Sequence, residues 1–482
     1  MSGPTKSERI PGDVLARLKA AAVLNGWSED VAEIAPLVAE WRDKYSGATP
    51  LLLKPNSVAA ISAIARICAE TRTPIVPQGG NTGLVGGQTP SAGGSEVLLS
   101  LRRLNRVRDV DSLGNTMTLE AGVILADAQK AADDAGRLFP MSLASEGSAT
   151  IGGLVSTNAG GTGVLAYGNM RELVLGIEAV LPDGRVWPGL SALRKDNTGY
   201  DLKQLLIGAE GTLGVVTAAT VKLFAKPAAV ETALAAVPNV QAAVELLHLA
   251  QSRAGTVTAF ELIPRLGLEF VLRHVPGTRD PLAAPHQWYV LIDVSLKTGE
   301  ARGVAADLLV EAANKHFVLD GVVAQSKAQA RALWKLREEI SGAQKPEGGS
   351  IKHDVSVPVS AVPAFIARAS EAVVKLVPGT RPVPFGHIGD GNIHFNISQP
   401  AGADAQGFLA RWDEVTRIVH DIVVHEFNGS ISAEHGVGQM KIDEIARYKS
   451  AQALDMMRAI KHALDPLNIM NPGKVVRVKP PV

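Results

Sequence analysis

Apolar side chains recur along this chain with two periods, one typical of helices and one typical of strands. Residues 7–45 follow the helical period in two short runs, and residues 58–70 follow it again directly after Ser57, a residue type that favours helix N-caps. Short apolar runs at 51–54 and 73–77 predict buried strands on either side of that helix. The pattern predicts a mixture of helices and strands, with a helical lead-in over residues 1–45.

The middle of the chain continues in the same manner. A strand at 177–181, a Pro182-Asp183-Gly184 turn and a returning strand at 185–187 form a predicted hairpin, and a longer strand is predicted at 215–223. After Pro227 the composition changes, and helices such as 240–250 alternate with strands such as 287–295. We therefore expect a domain boundary near Ala225.

Three clusters of glycine, serine and threonine interrupt the first half, at residues 78–88, 145–163 and 207–214. The first cluster follows a buried strand, so its backbone N–H groups can converge on an anion. It lacks the lysine of a P-loop, and no G-x-G-x-x-G occurs, so triphosphate hydrolysis and a Rossmann nicotinamide site are unsupported. One such cluster alone is more typical of a surface turn. Three together suit a long ligand with a pyrophosphate and a ring system.

Histidines bracket a glycine loop in FGHIGDGNIHFN, where His387 and His394 stand before and after the turn, and Glu434 follows in SAEHGVG. Two imidazoles and a carboxylate are the ligand set of a catalytic zinc site with an open position, and His435 would then serve as a base. The competing interpretation is a hydrogen-bonding histidine in a glycine-rich turn. Adjacent residues of a strand face opposite ways, so Glu434 and His435 need a turn to serve one site.

Cationic side chains in the second half suggest an anion site. Arg337 and Ser341 lie four residues apart on a predicted helix at 327–343, hence on one face, and Lys352 lies on a predicted strand at 351–357. These three could converge on an anion. Alternatively, Arg337 pairs with a neighbouring glutamate, Glu338 or Glu339, and the charges are simply solvated.

Composition narrows the possible functions. The 482 residues are 46% hydrophobic, and 48 basic residues balance 48 acidic ones, so neither nucleic acid nor an anionic membrane is favoured as a partner. The single Cys68 lies in an apolar helical run and is expected to be buried, as fits a reducing compartment. No apolar run of 18 residues occurs and the N-terminal stretch has no hydrophobic signal region, so we expect a cytoplasmic protein without a membrane span.

The stretches PQGGNTGLVGGQTP, SEGSATIGGLVSTNAGGTG and LIGAEGTLGVVT resemble the flavin-binding domain of the vanillyl-alcohol oxidase and p-cresol methylhydroxylase superfamily. GHIGDGNIHFN, SAEHGVG and DPLNIMNPGK narrow the resemblance to its FAD-dependent D-2-hydroxyacid dehydrogenases. The resemblance implies an α+β fold of vanillyl-alcohol oxidase type. It has a two-subdomain FAD-binding domain at 46–226, an antiparallel-sheet cap domain for the substrate at 227–430, and a C-terminal helical segment at 431–482 that closes on the flavin site.

The resemblance also implies which residues bind FAD. No histidine precedes His248, so the flavin is expected to be held without a covalent bond. The residues that the resemblance places at the cofactor are Pro77, Gln78, Gly79, Gly80, Asn81, Thr82, Gly83, Leu84, Gly87, Gln88, Ser145, Gly147, Thr150, Ile151, Gly152, Gly153, Ser156, Thr157, Asn158, Gly160, Gly161, Gly163, Glu210, Gly211, Gly214, Val215 and Asn471.

Arg337, Ser341 and Lys352 match the residues with which the D-2-hydroxyglutarate dehydrogenases hold the distal carboxylate of their substrate, although that family more often has threonine at the position of Ser341. Asn396, two residues past His394 on an alternating strand, would bind the substrate as well. The expected reaction is oxidation of D-2-hydroxyglutarate, and also D-malate, to the 2-oxo acid. His387, His394 and Glu434 would hold zinc, manganese or cobalt, and His435 would take the hydroxyl proton.

Three alternatives stay open: a D-lactate or glycolate dehydrogenase, an alkyl-transferring synthase of the same superfamily, and a non-catalytic flavoprotein with a structural metal. The chain has no Fe–S cysteine set or haem motif, so electrons are expected to leave to an electron-transfer flavoprotein, a quinone or a cytochrome rather than to oxygen. The oligomeric state is not fixed by any pattern, and a homodimer is one expectation.

Overall fold

The computed structural model describes residues 10–42, 44–253 and 255–478. They form two compact units. The first unit comprises residues 10–161 (apart from 43), 168–225 and 434–478, and the second comprises 162–167 and 226–433 (apart from 254). The domain bounds expected from the sequence stay predictions, and their residues 1–9, 43, 254 and 479–482 lie outside the described ranges.

Strands occur throughout both units. In chain order they are β1 Trp27–Ser28, β2 Leu52–Leu53, β3 Ile75–Gln78, β4 Val97–Ser100, β5 Val107–Asp111, β6 Thr116–Glu120, β7 Arg137–Leu138, β8 Val174–Val180, β9 Val186–Gly189, β10 Val215–Lys222, β11 Phe224–Ala225, β12 Ala229–Val237, β13 Thr256–Pro264, β14 Trp288–Leu296, β15 Asp320–Val323, β16 Ser350–Ile351, β17 Asp354–Ser356, β18 Arg381–Phe385 and β19 Asn392–Ser398.

Helices alternate with these strands. They are α1 Gly12–Ala21, α2 Val31–Ile34, α3 Val58–Thr71, α4 Leu125–Asp134, α5 Ile151–Thr157, α6 Val164–Tyr167, α7 Met170–Leu173, α8 Lys203–Leu206, α9 Val240–Gln251, α10 Arg265–His274, α11 Val304–Asn314, α12 Lys327–Glu338, α13 Ile340–Ala343, α14 Val362–Leu376, α15 Ala405–Leu409, α16 Trp412–Asp421, α17 Ile442–Tyr448 and α18 Ala451–Leu464. Short 3-10 turns lie at Ala35–Leu37, Lys345–Glu347 and Val359–Ala361, and a π-helical turn at Ile422–Glu426. None of the helices within the described ranges combines the length and the apolar character that a bilayer crossing requires.

The first unit contains two main sheets. One has the order β1-β2-β4-β3, with β2, β4 and β3 parallel, and the other is antiparallel in the order β5-β6-β10-β8-β9. Helix α3 begins after Ser57, whose side chain accepts the Ala60 N–H, and it packs Ile61, Ile64 and Cys68 into the core beside the parallel strands. The predicted cap, the hairpin of β8 and β9 and the burial of Cys68 are therefore confirmed. Burial raises the pKa of the Cys68 thiol to about 12.

The second unit is built on an antiparallel sheet in the order β13-β14-β12-β15. Alternate residues of its strands enter two separate cores, so this sheet is buried on both faces. A second antiparallel sheet pairs β16, β17 and β18 with β19.

Two predicted elements are interrupted. The strand at 351–357 becomes β16 and β17 in one continuous register, with Ile351 opposite Ile397 and Asp354 opposite His394. Between them His353 Nδ1 lies 2.9 Å from the Phe395 carbonyl oxygen. The helix at 327–343 ends as α12 and resumes as the short α13, whose sequence ISGA contains the weak helix formers serine and glycine.

A buried ion pair lies near the C-terminal end of the first unit. Lys461 pairs with Asp465, and its Nζ also donates to the carbonyls of Thr212 and Met470, each at 2.8 Å. Asp465 accepts the N–H groups of Ile469 and Met470 as well. The Lys461 ammonium thus donates only to groups of the protein itself, namely Asp465 and the two carbonyls. These bonds hold the C-terminal segment to the turn that contains Thr212.

We expect Lys461→Met to destabilise the first unit by about 3–5 kcal/mol, because the Asp465 carboxylate would keep its burial and lose its counter-charge. Urea unfolding followed by tryptophan fluorescence measures the shift in midpoint. Lys130→Met is the matched control, since Lys130 pairs with Asp134 at an exposed position of α4. Equal midpoints for the two variants would contradict the assigned role of the buried pair.

Candidate active site

The first glycine cluster leaves β3 as a loop held by side chains. Arg102 donates to the carbonyls of Gly79 and Gly80 at 3.2 and 2.9 Å, and Gln88 donates to the carbonyl of Gly83 at 2.9 Å. These bonds fix the carbonyl directions of the loop. A loop fixed in this way can present its N–H groups in one conformation, as an anion site requires.

Three side-chain amides beside this loop are held in the same way. Gln78 Nε2 donates to the carbonyls of Leu37 and Gln88. Asn81 Nδ2 donates to those of Pro36 and Ala39. Asn471 Nδ2 donates to those of Gly87 and Glu210. In each case the amide oxygen is buried and has no partner in the described structure, and the same is true of Thr150 Oγ1.

Buried acceptors without donors are costly, and all four belong to residues predicted to bind the cofactor. A ligand that carries hydroxyl and N–H donors would satisfy them. The ribityl hydroxyls and the ring N–H of a flavin are donors of this kind, so the residues present fit FAD.

The second glycine cluster is partly helical, because Ile151–Thr157 forms α5. The N–H groups of Ile151 and Gly152 donate to the carbonyls of Val123 and Ala121 at 2.9 and 2.7 Å, which ties the start of the helix to the strand layer. Asn158 ends the helix with a left-handed conformation, and its Oδ1 accepts the Arg171 N–H. These residues therefore fix the cluster in place.

The third cluster is joined to the second by backbone bonds. The N–H groups of Gly208 and Glu210 donate to the carbonyls of Val155 and Ser156 at 3.0 and 2.8 Å. Glycines 208, 211 and 214 all have positive φ, as the sharp turns before β10 require.

Glu210 connects the third cluster to the segment that follows His435. Its carboxylate accepts the N–H groups of Val437 and Gly438 at 2.7 and 2.8 Å. Burial raises the pKa of Glu210, and the two N–H donors together with the charges of Lys441 and Lys474 act in the opposite direction. Gly438 also approaches the Val85 carbonyl so closely that a Cβ would lie 2.2 Å from that oxygen. Residues 436–438 are thus fastened to two of the glycine clusters.

The remaining predicted cofactor residues lie in the same three clusters. Pro77 belongs to β3 and Val215 begins β10, while Gly163 falls in the short stretch 162–167 that belongs to the second unit. The others, spread along the loops and along α5, are Thr82, Leu84, Ser145, Gly147, Gly153, Thr157, Gly160 and Gly161.

In the second unit, the loop between β18 and β19 brings the two predicted metal ligands together. The rings of His387 and His394 lie 5.6 Å apart between centroids. His387 Nδ1 contacts the Glu261 carboxylate at 2.7 Å, so Nε2 is the nitrogen that could coordinate a metal. A ligand histidine whose other nitrogen binds a carboxylate is the usual arrangement in metal sites, and the residues present fit a divalent transition metal.

Asp354 is the strand neighbour of His394, with 3.9 Å between Oδ1 and Nδ1. Asn392 donates to the same Oδ1 at 2.9 Å. The N–H of Ala433 donates to the Asp354 carbonyl at 3.3 Å, and Glu434 is the next residue of the chain. In the first unit, Glu434 Oε1 and His435 Nε2 lie 3.8 Å apart, both half-buried.

The predicted anion-binding residues have defined partners. Arg337 Nε pairs with Glu261 at 2.8 Å, and its guanidinium lies 4.9 Å from the centre of the Phe385 ring. Lys352 Nζ donates to Ser341 Oγ at 2.9 Å, which brings those two predicted residues together.

Asn396 is buried, and its Nδ2 donates to Gln344 Oε1 at 2.7 Å. The ion pair of Arg337 is with neither of the two neighbouring glutamates that the sequence suggested as alternatives.

Two family patterns cover most of the chain. Residues 49–188 match the FAD binding domain, and residues 226–475 match the C-terminal domain of FAD linked oxidases. The chain belongs to the FAD-linked oxidases. FAD is accordingly its cofactor, and the protein is a FAD-dependent oxidoreductase.

Similar proteins agree with this assignment. A D-2-hydroxyglutarate dehydrogenase of Xanthomonas citri is 37% identical over 436 residues, which are 90% of this chain and 91% of that one. A putative mitochondrial D-lactate dehydrogenase of Schizosaccharomyces pombe is 35% identical, over 93% of this chain and 86% of its own. The solved structure of p-cresol methylhydroxylase has the same fold, with a TM-score of 0.74 at 16% identity and coverage of 96% of both chains. The predicted fold class is confirmed.

Sequence reasoning missed several side chains of this FAD-linked oxidase. Arg102 and Gln344 carry no motif that marks them. Asp354 carries no signal beyond its place on the predicted strand at 351–357. Glu261 is 126 residues from His387, and its one local signal is an acid inside the apolar run AFELIP of β13.

Gly80 offers a test of the flavin loop. In Gly80→Ala the new Cβ would lie 2.0 Å from the Ser148 carbonyl oxygen, so the first two glycine clusters would have to move apart, at a cost of about 1–3 kcal/mol. We expect FAD to bind about tenfold more weakly or worse. The ratio of flavin to protein absorbance after gel filtration measures this. Gly12→Ala, where a Cβ meets no atom within 4 Å, is the control, and equal flavin content in both would disprove the expected effect.

Proposed function

We propose that this FAD-dependent oxidoreductase oxidises D-2-hydroxyglutarate to its 2-oxo acid, with D-malate as a second substrate. The observation that carries the proposal is the hydrogen bond from Lys352 to Ser341, which brings two of the three predicted anion-binding residues together. A dicarboxylate offers a distal anion for a lysine in this position. The relative named D-2-hydroxyglutarate dehydrogenase supports the same substrate.

His387, His394 and Glu434 would hold a divalent metal, zinc being the first choice. The distance between the two rings and the bond of His387 to Glu261 support this ligand set. The link from Asp354 to Ala433 also supports it, because Glu434 is the next residue. When bound, such an ion lowers the pKa of a coordinated hydroxyl by several units.

His435 would accept the proton of the substrate's C2 hydroxyl as the general base. Bound FAD supplies the acceptor for the hydride from C2. His435, the residue after Glu434, would thus be the side chain that moves a proton. Asn396, which donates to Gln344, would help to orient the substrate carboxylate. Positioning of the substrate between these groups is the contribution of the protein.

FAD would be bound without a covalent link, since the first two glycine clusters contain no histidine. Electrons would leave to an electron-transfer flavoprotein, a quinone or a cytochrome. A cytoplasmic location and a homodimer remain predictions.

A D-lactate dehydrogenase is the second candidate. The ion pair with Glu261 partly neutralises Arg337, which weakens its attraction for a second carboxylate. One similar protein is also named a putative D-lactate dehydrogenase. This candidate keeps the metal and His435 and removes only the need for a distal anion.

The proposed reaction can be tested with anaerobic protein loaded with FAD and zinc. We expect D-2-hydroxyglutarate and D-malate to bleach the oxidised flavin absorbance, and D-lactate and L-2-hydroxyglutarate to do so far more slowly, because only the first two combine the D configuration with a distal carboxylate. Bleaching by D-lactate alone would favour the second candidate. Absence of bleaching by all four would refute both.

The His435→Ala variant separates chemistry from binding in the same cuvette. It should retain its yellow colour and lose flavin reduction by about 100-fold or more, the usual range for a general base. Wild-type reduction rates in this variant would remove His435 from the mechanism.

Lys352→Met tests the distal subsite, because Lys352 bonds to Ser341 and its loss leaves the Arg337–Glu261 pair intact. We expect kcat/KM for D-2-hydroxyglutarate to fall about 10–100-fold, as for the loss of a charged hydrogen bond, and kcat/KM for D-lactate to change little. Steady-state assays with an artificial acceptor measure both ratios. Equal losses on the two substrates would place Lys352 outside the specificity pocket.

A further inference from the structure

One carboxylate in the second unit contacts both a predicted metal ligand and a predicted substrate ligand. Glu261 Oε1 lies 2.7 Å from His387 Nδ1, and Glu261 Oε2 lies 2.8 Å from Arg337 Nε. The two oxygens therefore serve two different partners, and the carboxylate is fully buried between them.

The fold explains why an acid stands at this position. Glu261 lies on β13, between Phe260 and Leu262, which enter one core of the unit, whereas Ile263 enters the other. By strand alternation Glu261 lies on the same face as Ile263, the face against which α10 and α12 pack. An unpaired carboxylate in such an apolar layer would be strongly unfavourable, so its two partners, His387 and the Arg337 cation, are a condition of its burial.

The backbone of β13 also holds the loop that carries His387. Leu262 and Gly386 exchange two hydrogen bonds, of 2.8 and 3.1 Å, and the Gly389 N–H donates to the Phe260 carbonyl at 3.3 Å. The backbone of β13 and the side chain of Glu261 thus contact the same loop. Two sets of contacts from β13 therefore fix the position of His387.

Electrostatics agree with this geometry. Burial by itself would raise the pKa of Glu261, but the interactions with His387 and Arg337 outweigh it and hold the pKa at about 2.

We infer that Glu261 is a positioning residue that couples the metal site to the distal-carboxylate site. It would fix the His387 ring with Nε2 towards the metal, and it would occupy Nε of Arg337 so that both Nη groups stay directed at the substrate. This inference rests on the proposed function, and it adds a link between the two halves of substrate recognition that neither half supplies alone.

The link has a measurable consequence. A carboxylate behind a ligand histidine raises its basicity, and loss of such a partner commonly weakens metal binding about 10–100-fold. Loss of the same carboxylate would leave Arg337 without its orienting partner, so the dicarboxylate would bind poorly even when the metal site is saturated. Neither effect alone would indicate coupling.

The test uses Glu261→Gln, which keeps the shape of the side chain and removes its charge. Two readouts are needed on the full-length, FAD-loaded protein: zinc affinity by competition with a colorimetric chelator, which requires no turnover, and KM for D-2-hydroxyglutarate at saturating zinc. We expect zinc affinity to fall about 10–100-fold and KM to stay raised about tenfold or more, with the smaller effect on kcat.

Asp293→Asn is the matched control. Asp293 is a mostly buried carboxylate on the neighbouring strand β14, and it accepts from Thr232 and from the Trp334 indole rather than from Arg337 or His387. Its zinc affinity and KM should stay at wild-type values. Equal losses in both variants would reduce Glu261 to a structural role and overturn the inference.

The remaining outcomes are distinct. Unchanged zinc affinity and KM in Glu261→Gln, with a wild type that binds zinc and is bleached by D-2-hydroxyglutarate, would overturn the coupling and leave the proposed function intact. A wild type that is not bleached would refute the proposed function. A wild type that does not bind zinc would overturn the metal assignment and this inference with it.

If Glu261→Gln does not fold, Glu261→Asp keeps the charge and shortens the reach. A shorter side chain cannot span His387 and Arg337 together, so we expect at least one of the two losses. A fully wild-type Glu261→Asp would likewise overturn the inference.

Discussion

A buried carboxylate must be surrounded by donors, and two such carboxylates organise the functional parts of this protein. Glu210 in the first unit accepts two backbone N–H groups of residues 437–438, and Glu261 in the second unit accepts from His387 and Arg337. Neither can lose its partners without a large desolvation cost. Each therefore fixes the loop that supplies those partners, and both loops carry residues of the predicted chemistry.

Different kinds of donor offset the desolvation cost of the two carboxylates. Burial dominates at Glu210, where neutral N–H groups are the direct partners, and its pKa is raised. At Glu261 the interactions with His387 and Arg337 outweigh burial, and its pKa is lowered to about 2. The first arrangement fixes a backbone segment to the third glycine cluster. The second places a carboxylate against a predicted metal ligand, where its charge can affect ligand strength.

Local patterns predicted the elements well where neighbours in sequence determine them. The cap at Ser57, the hairpin of β8 and β9 and the burial of Cys68 depend on residues within a few positions of each other. The strand at 351–357 is two elements, β16 and β17, and between them the His353 ring bonds to the carbonyl of Phe395, a residue far away in sequence. The glycine clusters indicated the class of ligand. They could not show that the N–H groups of Ile151 and Gly152 would donate to carbonyls of the turn after β6.

The least predictable feature is the ion pair between Arg337 and Glu261. From sequence, Arg337 was a cation with neighbouring glutamates as alternative partners, and only the pairing of β13 with α12 and with the loop before β19 brings Glu261 to it. A cation already paired with a buried carboxylate attracts a second carboxylate less strongly, but it holds a fixed direction. If the proposed substrate binds here, Lys352, which donates to Ser341, would attract its distal carboxylate, and Arg337 would supply geometry. The charge that attracts the substrate and the charge that orients it would then belong to different side chains.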